Sequence, residues 1–574
     1  MKNLNYVEKK NIILPEGGHI SFGKGWYEWE YEDIFPFRWM SKEANLFISI
    51  ENLVKYKCLS FFLYSEFSDC SQHLSINLMN KTIASFALLH QWNYYSLSLP
   101  DDLKAFENQE KIEFALSLNK IFPRQYYPTD KRELGIRVAR LELHNSEEKH
   151  AHFLFFHKNA LLNIQETIEG KTEMSSYPLS LGIDLYGKCN IKPPCVYCLW
   201  DDMKKLEGKF SEIVIDLQTL KDYGNFFNCA RNIVNCSIGE PFLHPKFEEI
   251  LNHIDNQKKF LEISTNGLVF TNRTIEALLG KLIFLYVSLD AASKETYAKI
   301  RNDRFNSIIP QLYFLNQKRK KKENLPKIYM IFMPMKVNKD DLEDFFKLCR
   351  DIEADFLVLR PLNYLENPEI ERDRGGYHFN YEDELLSWEE LKEIFNKCSE
   401  LSTKYGVKVL NQFYFGSILE PAQQNKQNSN SSFKSDSIVN IEEEKNLKEN
   451  ENEIENDLGH SKFPLCREPW QSYYILRRSI LPCCHGSKPI APMNSWAKAW
   501  NSPVLQEMRK YLREGRFSPY CRESLACPIV QRYCPPKIIS TNLLTIKRYA
   551  SLRFINRLFF RIPIKLYRFL RTKF

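Results

Sequence analysis

The chain has 574 residues, of which 26% are charged and 44% apolar, so it falls among globular proteins with room for three or four domains. Its net charge of +7 is unevenly spread, and the sum alone implies no nucleic-acid partner. Fifteen cysteines, an odd count with most near residue 195 and between 466 and 534, argue against a disulfide scaffold and for metal sites in a reducing compartment. No run of about 18 apolar residues predicts a membrane-spanning helix. The first residues lack the apolar core of a signal peptide, so the expected location is the cytoplasm.

Residues 1–150 read as all-β. Short alternating runs rich in aromatic and branched residues, Asn45–Ile50, Leu59–Tyr64, Leu74–Leu78, Tyr94–Leu99, Ile112–Leu118 and Leu134–Leu143, are bounded by turn residues, which predicts a β-sandwich. Gly25-Trp26-Tyr27, Phe37-Arg38-Trp39-Met40-Ser41, Asn119-Lys120-Ile121-Phe122-Pro123 and Arg132-Glu133-Leu134-Gly135 resemble motifs of a β-sandwich accessory module of surface-polysaccharide enzymes. The resemblance implies a carbohydrate context and no chemistry. Trp26, Trp39 and Trp92 read either as core or as a stacking platform for a sugar ring. Residues 151–178 read as a connector.

Over residues 179–415 apolar runs alternate with helical patterns. Predicted strands are Leu179–Tyr186, Ile233–Ile238, Phe260–Ser264, Phe284–Leu289, Lys327–Met333 and Phe356–Leu359. Predicted helices between them include Phe247–Ile254, Thr274–Leu282, Lys294–Ile300 and Leu342–Ile352. This is the pattern of an α/β partial (βα)6 TIM-like barrel. Chemistry in such barrels sits beyond the C-terminal ends of the strands. There the sequence places Cys189, Cys195 and Cys198 after the first strand, with gaps of five and two residues. Gly239-Glu240-Pro241 follows the second strand, Ser264-Thr265-Asn266-Gly267 the third, Ser288-Leu289-Asp290 the fourth and Arg360-Pro361 the sixth. Three thiolates in ten residues suit an iron–sulfur cluster or zinc, although the loop offers zinc no fourth Cys or His.

In these motifs the chain resembles the radical S-adenosylmethionine (radical SAM) enzymes. The resemblance implies a [4Fe–4S] cluster on Cys189, Cys195 and Cys198 with one iron open to S-adenosylmethionine (SAM). It places Tyr197 near the adenine, Gly239 and Glu240 at the SAM amino group, Ser264 and Asn266 near the ribose and methionine, and Ser288 and Asp290 in the fourth-strand pattern. Two departures stand out: the first cysteine gap is longer than the family's three residues by two, and Ile238 replaces the first Gly of Gly-Gly-Glu-Pro. The implied activity is reductive cleavage of SAM and hydrogen abstraction from a substrate by a 5′-deoxyadenosyl radical. Flavodoxin or ferredoxin is implied as electron donor. No catalytic residue beyond the cofactor-binding set is read from the sequence.

Residues 416–461 are polar, Asn- and Glu-rich and nearly free of aromatics, as in a disordered insert. Residues 462–536 carry Cys466 before Pro469-Trp470, then Cys483-Cys484, Cys521, Cys527 and Cys534. This resembles the SPASM/twitch extension, which implies an auxiliary [4Fe–4S] cluster on Cys466, Cys483, Cys521 and Cys527. Cys484 and Cys534 are rival ligands, and four thiolates also suit zinc. Residues 537–574 hold ten Lys or Arg and no acid, with Arg553, Arg557, Arg561, Lys565 and Arg568 on one helical face. Such a tail reads as a peripheral membrane contact or as a docked helix; no nucleic-acid reader motif accompanies it. The expected substrate is a cell-surface glycan or lipid-linked sugar precursor. A peptide is the alternative, and a non-catalytic, metal-bound carbohydrate-binding protein is the alternative of another class.

Overall fold

The computed structural model describes residues 20–31, 34–100, 109–198, 213–237, 239–362, 370–413, 462–476, 478–486, 488–524, 527 and 529–530. These residues fall into two compact units, one running to residue 520 and one from residue 521 onward. The insert expected at 416–461 and the basic tail at 537–574 lie outside the described residues.

Two antiparallel sheets form the N-terminal part. One has the order β1 (Ile20–Phe22), β4 (Glu43–Ser49), β9 (Lys111–Leu118), β6 (His73–Leu78), β7 (Lys81–Ala87). The other has the order β2 (Trp26–Glu30), β3 (Phe37–Met40), β10 (Ile136–His144), β5 (Cys58–Tyr64), β8 (Asn93–Ser98). Strict alternation on β4 and β9 sends Leu46, Ile48, Phe114 and Leu116 inward against Phe61 and Leu63 of β5. Each of the six strands read from sequence has a counterpart here. The unread ones, β1, β2, β3 and β7, are short or weakly apolar.

The second sheet buries its other face as well. Phe35, Phe37, Trp39, Phe62, Trp92 and Tyr94 pack with Phe260, Leu282 and Leu325, residues at the starts of three barrel strands. Arg231, just before the strand Asn232–Asn235, carries its guanidinium over the rings of Phe260 at 4.7 Å and Tyr94 at 5.3 Å, a desolvated cation–π contact across the same seam. The sandwich therefore caps the N-terminal ends of the barrel strands. Trp39 and Trp92, at 3% and 6% exposure, are part of this seam and cannot stack on a sugar. Trp26 is half-buried and donates from Nε1 to the Asn45 carbonyl at 2.9 Å.

The connector expected over 151–178 is instead largely a 23-residue helix, Glu147–Glu169. Ser146 caps its N-terminus by accepting from the Lys149 amide, and Gly170 ends it with φ +63. Its Phe156, Ala160 and Ile164 enter the sandwich core. On another face Asn163 donates to the Trp470 carbonyl at 2.7 Å, so the helix ties the sandwich to the C-terminal extension.

Among the described residues one sheet of ten strands follows. The six strands β11 (Ser180–Ile183), β12 (Asn232–Asn235), β13 (Phe260–Thr265), β14 (Ile283–Ser288), β15 (Lys327–Phe332) and β16 (Phe356–Leu359) are parallel and in sequence order. Two more parallel strands extend them: β19 (Val409–Asn411) beside β16, and β20 (Ser472–Leu476) beside β11. Antiparallel β21 (Ser479–Leu481) and β22 (Ala491–Pro492) then follow β20. The fold is thus an α/β partial barrel whose first strand is covered by the C-terminal extension. Gly182 permits that pairing, because a Cβ there would lie 2.3 Å from the Tyr474 ring. Helices Phe247–Asn256, Asn272–Leu278, Lys294–Ile300, Phe305–Arg319 and Leu342–Ile352 cover the outside. A separate hairpin, β17 (Glu371–Arg374) with β18 (Tyr377–Asn380), lies after β16. No helix among the described residues is long and apolar enough to cross a membrane.

Removing the Trp92 ring from the seam empties a site lined by Phe35, Phe37 and Phe62. Trp92→Ala is expected to cost about 3–5 kcal/mol, seen as a lowered calorimetric transition.

Candidate active site

The five groups of polar residues flagged in the sequence lie at the C-terminal ends of the barrel strands, opposite the sandwich. Cys189, Cys195 and Cys198 sit in an irregular segment after β11. Cys195 is buried, and Cys189 and Cys198 are partly exposed. Gly239 touches this segment directly: a Cβ there would lie 2.3 Å from the Lys188 carbonyl oxygen. Next to it the Glu240 amide donates to the same carbonyl at 2.7 Å. Only glycine fits that approach, whatever residue precedes it.

Glu240 is buried, at 2% exposure. Its Oε1 accepts from the Thr265 hydroxyl at 2.8 Å and the Phe242 amide at 3.3 Å, and its Oε2 from the Asn266 amide at 2.8 Å. Burial pushes this carboxyl up and the three hydrogen bonds pull it back, leaving it at about 7. Asn266 extends the chain of contacts, since its Nδ2 donates to Asn190 Oδ1 at 2.7 Å and lies 3.8 Å from Cys189 Sγ. Gly267, with φ +76, closes the turn that aims it. Ser264 and Ser288 share the partly exposed face of β13 and β14, and neither hydroxyl has a protein partner among the described residues. Glu262, Tyr286 and Tyr329 continue that face, and Arg360 reaches it from the end of β16, 5.9 Å from the Tyr286 ring centroid. Arg360 Nε donates to Gln412 Oε1 at 2.9 Å.

Asp290 stands apart from this group. It is 0% exposed, and protein groups surround its carboxylate. Its Oδ2 accepts from the Tyr197 hydroxyl at 2.6 Å and from Arg301 Nε at 3.0 Å and Nη2 at 2.6 Å, and its Oδ1 from the Met333 amide at 3.0 Å. The Tyr197 hydroxyl is likewise committed to this interior pair, which leaves its ring and backbone, the parts expected near an adenine, unassigned by these bonds. Arg301 Nη2 also donates to Tyr197, and its Nη1 lies 3.8 Å from Cys195 Sγ. Burial, with smaller contributions from Cys198, Cys189 and Asp290, pushes the Cys195 thiol up to about 12, against the pull of Arg301. Arg301, the residue after the helix Lys294–Ile300, is a site residue that the sequence does not single out.

Among the described residues no three Cys, His, Asp or Glu side chains converge closely enough to coordinate one ion. The donor set nevertheless suits a cluster. It offers three soft thiols on one segment, close enough that Cys189 and Cys198 affect the titration of Cys195, and N–H donors aimed at two of the sulfurs.

In the C-terminal extension Cys466 precedes the short helix Glu468–Gln471, whose Trp470 is buried with Nε1 on the Lys171 carbonyl at 2.8 Å. Cys483 follows β21, its thiol pushed up by burial and by nearby Cys484 and Cys466. Cys484 is exposed. In the second unit Cys521 and Cys527 are linked through turns at Ser524, with amide-to-carbonyl distances of 3.0 and 2.9 Å. Cys534 lies outside the described residues.

Residues 183–349 match the model of the radical SAM superfamily. A probable GTP 3′,8-cyclase of Methanocaldococcus jannaschii is 26% identical over 205 residues, 35% of this chain and 63% of that protein. The antilisterial bacteriocin subtilosin biosynthesis protein AlbA of Bacillus subtilis is 25% identical over 139 residues, 24% of this chain and 29% of that one. The chain therefore spans less than two thirds of either relative. A crystal structure of Streptococcus suis SuiB aligns at 15% identity with a TM-score of 0.40, covering 67% of this chain and 78% of that one.

Two predictions test the buried groups. Asp290→Asn leaves Arg301 buried without its counter-ion, which is expected to cost about 3–5 kcal/mol in chemical denaturation. Glu240 has its folded value raised from 4.5 to about 7, so the stability it lends is complete below about 4.5 and lost as pH rises through about 7. The apoprotein should lose up to roughly 3 kcal/mol across that window, and Glu240→Gln should flatten this part of the melting-temperature profile.

Proposed function

With a radical SAM domain at residues 183–349 as premise, we propose that this chain is an enzyme whose Cys189, Cys195 and Cys198 hold the [4Fe–4S] cluster that binds SAM. The observation that carries the reading is the contact chain joining Cys189, Asn266 and Glu240 on one side of the segment and Cys195 and Arg301 on the other. The cluster and SAM together supply reductive C–S cleavage and the abstraction of a substrate hydrogen.

The chain's own residues bind and orient. Glu240 Oε2 accepts one hydrogen bond and retains acceptor capacity for an ammonium, in a site where burial strengthens that pairing. Asn266, fixed by Asn190, presents its amide beside Cys189. Ser264 and Ser288 offer hydroxyls to a ribose, and the face bearing Tyr286, Tyr329, Glu262 and Arg360 receives the substrate. Tyr197 and Asp290 act one layer below, holding the segment in place.

We infer the substrate class from the N-terminal module, whose motifs resemble accessory sandwiches of glycan-biosynthesis proteins: a cell-surface glycan or lipid-linked sugar precursor. Likeness to a bacteriocin biosynthesis protein favours a peptide as the second reading. Cys466, Cys483, Cys521 and Cys527 hold an auxiliary cluster in this proposal, and a small electron-transfer protein supplies the electron.

Reconstituted anaerobically and reduced with SAM, the protein should release 5′-deoxyadenosine, and a Cys189→Ala/Cys195→Ala/Cys198→Ala variant should release none. Unchanged release from that variant would overturn the assignment. Replacing Cys466 and Cys483 by Ala should lower iron from about eight to about four per chain.

A further inference from the structure

The cysteine segment carries a gap two residues longer than the usual spacing, and the structure shows what holds the added length. Arg372 donates from Nη1 to the carbonyls of Cys195 at 2.6 Å and Val196 at 3.2 Å, and from Nη2 to that of Cys198 at 2.9 Å. Arg374 Nη2 donates to the Pro193 carbonyl at 2.8 Å and also to that of Pro194. Two guanidinium groups thus bind five carbonyls of an irregular segment whose backbone otherwise makes few bonds of its own.

The two arginines are two residues apart on β17, so both project from the same face. The strand is folded back on β18 by Gly375-Gly376, with φ of +56 and +80, a turn conformation that favours glycine at both positions. On that same face Ile370 and Phe379, the latter directly opposite Arg372, seat the hairpin by packing in one cluster with Val196 and Ile300. The hairpin lies beyond residue 349, where the match to the radical SAM domain ends.

We propose that the β17–β18 hairpin is a brace for the cluster-binding segment, with Arg372 and Arg374 as positioning residues that fix its widened gap and place positive charge beside it. The proposal rests on the reading of Cys189, Cys195 and Cys198 as cluster ligands. A rigid, hydrogen-bonded ligand segment holds iron more tightly, and nearby cations favour the more negative, reduced cluster. Arg372 therefore sets both iron retention and midpoint potential. A lysine there keeps the charge but cannot span three carbonyls.

The test uses the full chain, reconstituted anaerobically. Iron assigned to the segment is the difference between wild type and the Cys189→Ala/Cys195→Ala/Cys198→Ala variant. Arg372→Gln should lose that iron to a chelator several-fold faster than wild type and show a lower midpoint potential in an EPR-monitored titration. Arg372→Lys should lose iron faster but keep a potential nearer that of wild type. Arg374→Gln should show a smaller loss of the same kind, and it carries the test should Arg372→Gln fail to fold. Wild-type iron retention and potential in a folded Arg372→Gln or Arg374→Gln protein would overturn the brace. Equal iron in wild type and the triple-cysteine variant would instead overturn the ligand assignment beneath it.

Discussion

The site depends on one buried contact, the pairing of Arg301 with Asp290 under the cysteine segment. Their side chains are 7% and 0% exposed, 2.6 Å apart, with the Tyr197 hydroxyl bonded to both. Such a pair gains little over apolar packing of the same volume, because both charges are desolvated. What it supplies is position. Asp290, two residues past β14, takes a left-handed conformation, φ +62, and receives the Met333 amide from just past β15. Its own carbonyl receives Asn338 Nδ2 at 2.8 Å. Arg301 follows the helix Lys294–Ile300, and the Ile300 carbonyl accepts the Val196 amide at 3.0 Å. Two strand ends, a helix end and the cysteine segment thus meet at one carboxylate.

The opposite end of the barrel is closed by different physics. There the contacts are aromatic and aliphatic, with Arg231 and Lys259 almost completely buried. Lys259 gives Nζ to the carbonyls of Ala230 at 2.6 Å and Asn228 at 3.0 Å, and burial and the neighbouring Arg231 depress it well below the usual lysine range. Buried cations without carboxylate partners in contact settle for carbonyls and ring faces. The seam fixes the N-terminal ends of β13, β14 and β15 and leaves their C-terminal ends free for polar loops. The sandwich thus lies on the face of the barrel away from the cysteines, so any part it plays with a substrate is played away from the reacting centre.

Much of this was legible in the chain. Buried parallel strands are continuous apolar runs, so β12 to β16 stand out, and polar residues at their ends mark the site because a barrel puts those ends together. The helix Glu147–Glu169 was missed because it buries two faces against different partners and shows no single apolar stripe. Its Ser146 cap and Gly170 stop were the available signals. The pairing of β20 with β11 joins residues almost three hundred apart, and no local pattern encodes it. Arg372 and Arg374 lie in a run, ERDRGGYHFN, that looks like a solvated turn. The Gly-Gly pair announced the hairpin, but nothing local announced its target. Asp290 is marked by its place just past a strand end, but its partners Arg301 and Tyr197 lie on other segments that no local pattern joins to it.

The site contains two buried carboxylates, and their difference is informative. Asp290 has a guanidinium in contact. Glu240, equally buried, is bonded only by two amides and a hydroxyl, with Arg301 acting on it weakly from a distance. Three neutral donors do not offset the burial, so the carboxyl sits near 7, poised between forms. A cation arriving beside Oε2 would complete Glu240 as Arg301 completes Asp290, and would hold it ionised. The barrel has thus satisfied one buried acid from its own sequence and left the other incomplete at the position facing Asn266 and Cys189. An ammonium-bearing ligand gains most there because its charge offsets the burial that the neutral donors leave uncompensated.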